Sequence, residues 1–406
     1  MQYVLVERIT NNSINIYIDF EVKMKKIALA GLCNYNNFGD QFIGKTLEYI
    51  IGSIDENIVC KFISFEREKE GIGYYFNTVM QKGSKYIPNK NTGHKVKYWA
   101  LKNRMYNYFY EQLCDVDALI FACGSFKYGT QNLWAMYSIC IECCLKLNIP
   151  VMFDAMNVQR YSQDDWRCQM LKKHANYSCV KMITSRDGLP GVNRLNDYYI
   201  FDRRIQLLPV GDPAFWIKEC YDIQKKHSDV IGINLIRCDT FQNYGGKIKP
   251  VDVQMVYIDL IGKLISENIS FELFTNGLEK DLELVEILKS SYSNTEIIVR
   301  VPSSDYDLVN IISQYGSILG ARLHACICAY SLDIPVCGFY WDEKIKYFAE
   351  EIEFSDYFVD QEDFTGEKLF NNLLKCKNIK IDETIKEMWK QKTRDSISVF
   401  LEEFVD

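Results

Sequence analysis

Residues 318–340 read ILGARLHACICAYSLDIPVCGFY, and the reading of this stretch decides the fold. An apolar run, Ile318–Gly320, gives way to Arg322 and His324, an apolar helix follows over Ala325–Ser331, and a second apolar run covers Pro335–Tyr340. Short apolar runs joined by an apolar helix suit a parallel sheet, whose strands are covered on both faces. Arg322 and His324 are the polar residues of an otherwise greasy stretch. They sit where a strand passes into a helix, the place at which open α/β sheets bind ligands. An arginine buried there has to meet an anion, supplied by the protein or by a ligand. His324, one of four histidines, fits a structural role and a site role alike.

The same unit recurs in both directions. Ile27–Gly31, Ile58–Ser64, Ala118–Cys123, Pro150–Asp154, Met182–Ser185 and Ile205–Val210 read as one series of buried strands. Val230–Leu235, Phe271–Thr275 and Glu296–Val301 lead a second series into the 318–340 unit. Helix candidates such as Asp40–Ile51, Tyr98–Cys114, Gln131–Leu147, Val253–Ile265 and Asp305–Ser313 lie between them, the alternation of parallel sheets covered by helices. The expected fold is α/β, with two Rossmann-like doubly wound domains facing a cleft. Residues 24–217 form the first domain, the polar stretch 218–229 a linker and 230–378 the second domain. Residues 379–406 form a closing helix packed on one domain. Residues 1–23 read either as an extension outside the native fold, with the natural start at Met24, or as an edge hairpin.

Composition narrows the class. The 406 residues are 48% apolar and 25% charged with a net charge of −7, which excludes wholesale disorder and gives no global basic field for nucleic acid. The N-terminus lacks the basic start and apolar middle of a signal peptide. Fifteen cysteines lie mostly in apolar runs, with a single C-x-x-C and no histidine beside it. They read as buried thiols in a reducing cytosol, with neither a disulfide framework nor a metal site expected.

Four other segments end a strand near the expected cleft. Asn36, Asn37, Gly39 and Asp40 follow the first strand, where small and amide residues allow a tight turn, and Asp40 fits both a site role and a helix N-cap. Gly124, Ser125 and Lys127 follow the third, and read equally as a ligand loop or an ordinary turn. Arg186 offers a planar fork for phosphate or carboxylate, or else pairs with its neighbour Asp187. Lys344, after the last run, adds positive charge at the rim or stands as a solvated lysine.

Asn36, Gly39 and Asp40, Ser185-Arg186-Asp187, Gly211-Asp212-Pro213-Ala214, Gly320-x-Arg322-Leu323-His324 and Trp341-Asp342-x-Lys344, taken in that order, resemble the polysaccharide pyruvyl transferases over roughly residues 25–350. The glycine triplet usual after the third strand reads Cys123-Gly124-Ser125 here, and Trp341 replaces the usual tyrosine. The resemblance implies a GT-B-like fold. It also implies transfer of the enolpyruvyl unit of phosphoenolpyruvate to two sugar hydroxyls as a ketal, with release of phosphate. It assigns His324 to proton transfer with Asp40 as partner, and Arg186, Arg322, Leu323 and Lys344 to the donor. Asn36, Asn37, Gly39, Gly124, Ser125 and Lys127 fall to acceptor or phosphate loops. No cofactor beyond the donor and no metal is implied.

From Gly71 to Tyr110 there is no acid, against six lysines and Arg104 interleaved with aromatics. This run fits contact with anionic lipid or a lipid-linked glycan, or a solvated basic face. The expected location is cytoplasmic, peripheral at the inner face of the membrane, in assembly of a capsule, exopolysaccharide or wall glycan. The other readings are a GT-B-type glycosyltransferase using a nucleotide sugar and a catalytically silent glycan-binding protein.

Overall fold

Two parallel sheets carry the molecule. The structure, a computed structural model, describes residues 4–10, 13–19, 24–31, 38–65, 71–122, 124–126, 132–159, 161–199 and 205–405, without the side chains of 4–10, 13–19, 71–76 and 125. Strands β1 (Val4–Thr10) and β2 (Ser13–Asp19) pair antiparallel with each other, from Val4↔Asp19 to Thr10↔Ser13, and join neither main sheet. The first main sheet holds β3 (Lys25–Gly31), β4 (Ile58–Ser64), β5 (Ala118–Ala122), β6 (Ser125–Phe126), β7 (Val151–Val158), β8 (Val180–Ser185) and β9 (Gln206–Pro209). Its order is β4-β3-β5-β7-β8-β9, with β6 beside the end of β7. The second holds β10 (Ile231–Asn234), β11 (Phe271–Phe274), β12 (Val299–Arg300), β13 (Ser317–Gly320), β14 (Val336–Phe339) and β15 (Phe358–Val359), ordered β12-β11-β10-β13-β14-β15. The order of each sheet reverses once, between β3 and β5 and between β10 and β13, so each has a crevice at its strand ends.

Both faces of each sheet are covered, which is why the strands read as unbroken apolar runs. Ile27, Leu29, Ala118 and Ile120 on one face of the first sheet meet Ile43, Leu47 and Ile50 of the helix Phe38–Ile54. Each such side chain contributes roughly 1.5–3 kcal/mol by leaving water. Phe42 of the same helix turns the other way, into the core of the second lobe. Lys45 pairs with Asp305 at 2.5 Å on that side. Gly277, at φ +89, lies against Phe38, whose ring a Cβ would meet at 2.4 Å, so only glycine lets this loop of the second lobe close on the first.

Four features depart from the sequence reading. The chain changes cores at Gly211–Pro213: Val210 packs in the first lobe, while Ala214, Phe215 and Ile217 pack in the second. The polar stretch 218–229 begins as the end of a helix, Ile217–Tyr221, and Tyr221 and Lys226 are tied to the second lobe through Asp305 and the Ser313 carbonyl. The closing helix, Glu383–Phe404, packs on both lobes. Trp389 joins the second core and Ile397, Phe400 and Leu401 join the first. Its Lys386 and Lys390 are buried against Asp333, Glu219 and their own helix's carboxylates. A basic helix starts at Lys90, eight positions before the expected Tyr98, because the Asn89 side chain caps it by accepting from Thr92 N at 3.0 Å. None of the described helices is long and apolar enough to cross a membrane.

Candidate active site

The turn after β13 carries the sharpest sequence signal, and its backbone is pinned by three hydrogen bonds from two residues. Asn234, at the end of β10, accepts from the N–H groups of Ala321 (3.3 Å) and Arg322 (3.0 Å). Trp341 donates its indole N–H to the Ala321 carbonyl at 2.6 Å, a structural use for the residue that departs from the family pattern. The helix Leu323–Ser331 then starts with Arg322 as its N-cap.

His324 is 8% exposed and lies between carboxylates of different origin. Its Nδ1 is 3.4 Å from Asp40 Oδ1, on the first lobe's helix, and its Nε2 is 3.8 Å from Asp212 Oδ2, at the crossing between lobes. These are ion-pair separations, and Nε2 makes no hydrogen bond among the described residues. Burial alone would lower the imidazole pKa, but Asp212 and Asp40 together outweigh it and hold it above the ordinary histidine value. Burial likewise opposes ionisation of both carboxylates. Arg186 and His324 hold Asp212 well below the usual carboxylate range, and His324, Lys344 and Arg186 lower Asp40. The arrangement is a buried imidazole between two carboxylates that favour its protonated form. Asp40 is the third residue of its helix, which removes the N-cap alternative.

The arginines are already engaged. Arg186 Nη1 is 2.5 Å from Asp212 Oδ2, so it pairs across to the crossing and not with Asp187. Asp187 instead accepts from Asn157, Val158 N and Arg194. Arg322 meets the fully buried Asp281 through Nε (2.8 Å) and Nη2 (2.5 Å), leaving the Nη1 end of its guanidinium beyond that pair. Of the two anions the sequence allowed for this arginine, one from the protein and one from a ligand, the structure shows the protein's own, Asp281. Breaking such a pair from one side costs about 3–5 kcal/mol, whereas replacing both charges costs little. Asp281→Ala should lower the urea midpoint strongly, and Asp281→Leu combined with Arg322→Met should recover most of the loss. No recovery in the double variant would show that the pair does more than neutralise itself.

The remaining expected residues divide. Leu323 buries its side chain in the second lobe's core, so only its backbone at the helix start faces the turn. Lys344 lies 5.0 Å over the Trp341 ring, and its charge is felt by Asp40. Gly39 is buried beside Asp40 in the first helical turn. Gly124 is glycine for packing, since a Cβ would meet Tyr137 Oη at 2.0 Å, and Ser125 pairs with Asn157 through β6. Asn36, Asn37 and Lys127 lie outside the described residues.

Sequence reasoning passed over three acids. Asp212 stood in a quoted motif without a role; an Asp-Pro directly after a strand was the available signal. Asp154, fully buried on β7 beside Thr184, is pushed up to about 7 by burial and by Asp212. Glu351, half-buried with its Oε1 shielded from solvent, is pushed well up by desolvation and by Asp187 and Asp212. Neither carried a motif.

Comparison with known proteins adds a family and a fold. The polysaccharide pyruvyl transferase family model matches residues 37–343. No curated protein matches the chain by sequence. Among solved structures, UDP-GlcNAc 2-epimerase from Neisseria meningitidis bound to UDP-GlcNAc is similar at 12% identity and TM-score 0.55, over 94% of this chain and 100% of that one. The Methanocaldococcus jannaschii UDP-GlcNAc 2-epimerase matches at 13% identity and TM-score 0.55, over 92% and 98%. A UDP-forming trehalose-phosphate synthase from Burkholderia xenovorans matches at 10% identity and TM-score 0.53, over 95% and 100%. At such identities the likeness is one of fold, the two-lobed GT-B-like architecture.

Proposed function

The chain belongs to the polysaccharide pyruvyl transferase family, and from that premise we propose that it moves the enolpyruvyl unit of phosphoenolpyruvate onto two hydroxyls of a glycan precursor, forming a ketal and releasing phosphate. The observation that carries this reading is the buried imidazole of His324, set between Asp40 and Asp212, which favour its protonated form, with a nitrogen that makes no hydrogen bond among the described residues. A group whose protonated form is favoured by its neighbours suits a reaction that begins by protonating carbon.

The steps balance as follows. His324 gives its proton to the methylene carbon of the donor while the first sugar hydroxyl bonds to the adjacent carbon and returns its proton to the imidazole. The bond from that carbon to the phosphate oxygen then breaks. The second hydroxyl closes the ring, and its proton leaves with phosphate. Arg322, through its Nη1 end, and Lys344 bind the donor's anionic groups by charge-assisted bonds. Arg186 acts from the other lobe by holding Asp212 and by its charge.

Thermal shift tests the donor. A ligand at ~100 times its dissociation constant stabilises by about 2.7 kcal/mol, so phosphoenolpyruvate should raise the melting temperature measurably. Arg322→Lys and Lys344→Ala should each reduce that rise. A rise with UDP and none with phosphoenolpyruvate would reassign the cleft to a nucleotide sugar. Phosphate release dependent on phosphoenolpyruvate, screened across glycan acceptors, then identifies the second substrate.

A further inference from the structure

The acid-free stretch folds so that its charge converges. A cleft of about 390 Å³ opens where the helix Gly71–Gly83, the 3-10 turn Ser84–Tyr86 and the start of the helix Lys90–Leu113 meet, lined by Lys82, Lys85, Lys90, His94 and Lys97. Lys90, His94 and Lys97 are spaced i, i+4, i+7 and share one helix face. Among the described residues none of these four lysines pairs with a carboxylate, although Lys102 on the same helix pairs with Glu142. Asp165 is 3.8 Å from His94 but is already held by Arg167 at 2.5 Å. Burial, helped by the charge of Arg167, lowers both Lys97 and His94, as expected where positive charge is in excess.

Two large apolar side chains flank this cleft in the open. Val79 is 66% exposed and Tyr86 is 77% exposed, with Lys85 Nζ 4.8 Å over the Tyr86 ring. A single exposed hydrophobe needs no explanation. An aliphatic and an amphipathic aromatic beside a convergent lysine cluster are the pairing that suits a headgroup layer, where apolar tips enter and lysines meet phosphate. The position is also apt. Asn91 donates to the Asp164 carbonyl and accepts from Trp166 N, which places the cleft beside the loop that leaves the C-terminal end of β7.

We propose that this face of the first lobe docks on an anionic lipid bilayer, the lysine cleft taking lipid phosphate groups while Val79 and Tyr86 enter the headgroup region. Docked this way, the loop after β7 is brought toward the membrane surface. The inference stands on this surface alone and does not depend on the transfer chemistry.

Flotation of the full chain with vesicles tests it. Vesicles of equal parts phosphatidylcholine and phosphatidylglycerol should carry the protein at low salt, and pure phosphatidylcholine should not. With each lysine near an anionic surface worth about 1 kcal/mol, Lys82→Glu with Lys85→Glu should cut partitioning at least tenfold. A charge-matched pair on the second lobe, Lys289→Glu with Lys375→Glu, should leave it unchanged, and Tyr86→Ser should remove the part that survives high salt. All four lysines are exposed, so unchanged melting temperatures are expected. Equal loss in both lysine pairs, equal binding to neutral vesicles, or binding of inorganic pyrophosphate or duplex DNA without vesicle binding would overturn the proposal.

Discussion

Replacing His324 with asparagine is expected to lower phosphate release roughly 10²–10⁴-fold, the usual worth of a positioned acid–base group, while phosphoenolpyruvate still raises the melting temperature. In the proposed reaction the imidazole moves the proton, whereas Arg322 and Lys344 bind the donor's charges. Turnover within a few-fold of the unaltered protein would remove His324 from the chemistry. The same variant has a signature in stability. His324 is raised above its unfolded value of about 6.5, so its contribution is complete below that pH and is lost as pH rises through the folded value. Asp40 and Asp212 are lowered, so their contributions are complete above about 3.9 and are lost as pH falls through the folded values. The trio therefore stabilises most between roughly pH 4 and 6.5. His324→Asn should abolish the decline in urea midpoint on the alkaline side of that window.

How much of this could be read from the chain differs between fold and site. The parallel sheets were legible because strands such as Ala118–Ala122 are buried along their whole length, and covering both faces leaves an apolar run that no amphipathic element imitates. The turn at 320–324 was legible for the converse reason, being charge set in an apolar context. Partners were not. Arg322 meets Asp281 across 41 positions, from a 3-10 turn that follows β11, and nothing in residues 279–281 marks it. Local proximity misled at Arg186 and Asp187, which face different elements although they are adjacent. The lobe boundary was placed on polarity, at 218–229. Yet the chain crosses where Gly211 lies under Trp389 and where Asp212 caps the following turn by accepting from Ala214 N at 2.9 Å.

That crossing places a structural residue inside the chemistry, and it makes Asp212 the most informative position after His324. Asp212 touches Arg186 on the first lobe, approaches His324 on the second, and sits where the chain passes between them. Asp212→Asn removes one of the two carboxylates that raise the imidazole pKa. The alkaline limb of the pH–rate profile should move to lower pH, and turnover at neutral pH should fall about a hundredfold as the proton donor is lost. It also breaks the buried pair between Asp212 and Arg186, only 9% exposed, from one side, which should cost about 3–5 kcal/mol. The two effects separate in Asp212→Asn combined with Arg186→Met. Removing both charges should restore most of the urea midpoint, because an apolar replacement of a buried pair is nearly neutral, while the pH limb stays displaced. A limb that returns with stability would make Asp212 a mere structural tie. A limb that never moves, even in the single variant, would mean that Asp212 does not set the protonation of His324.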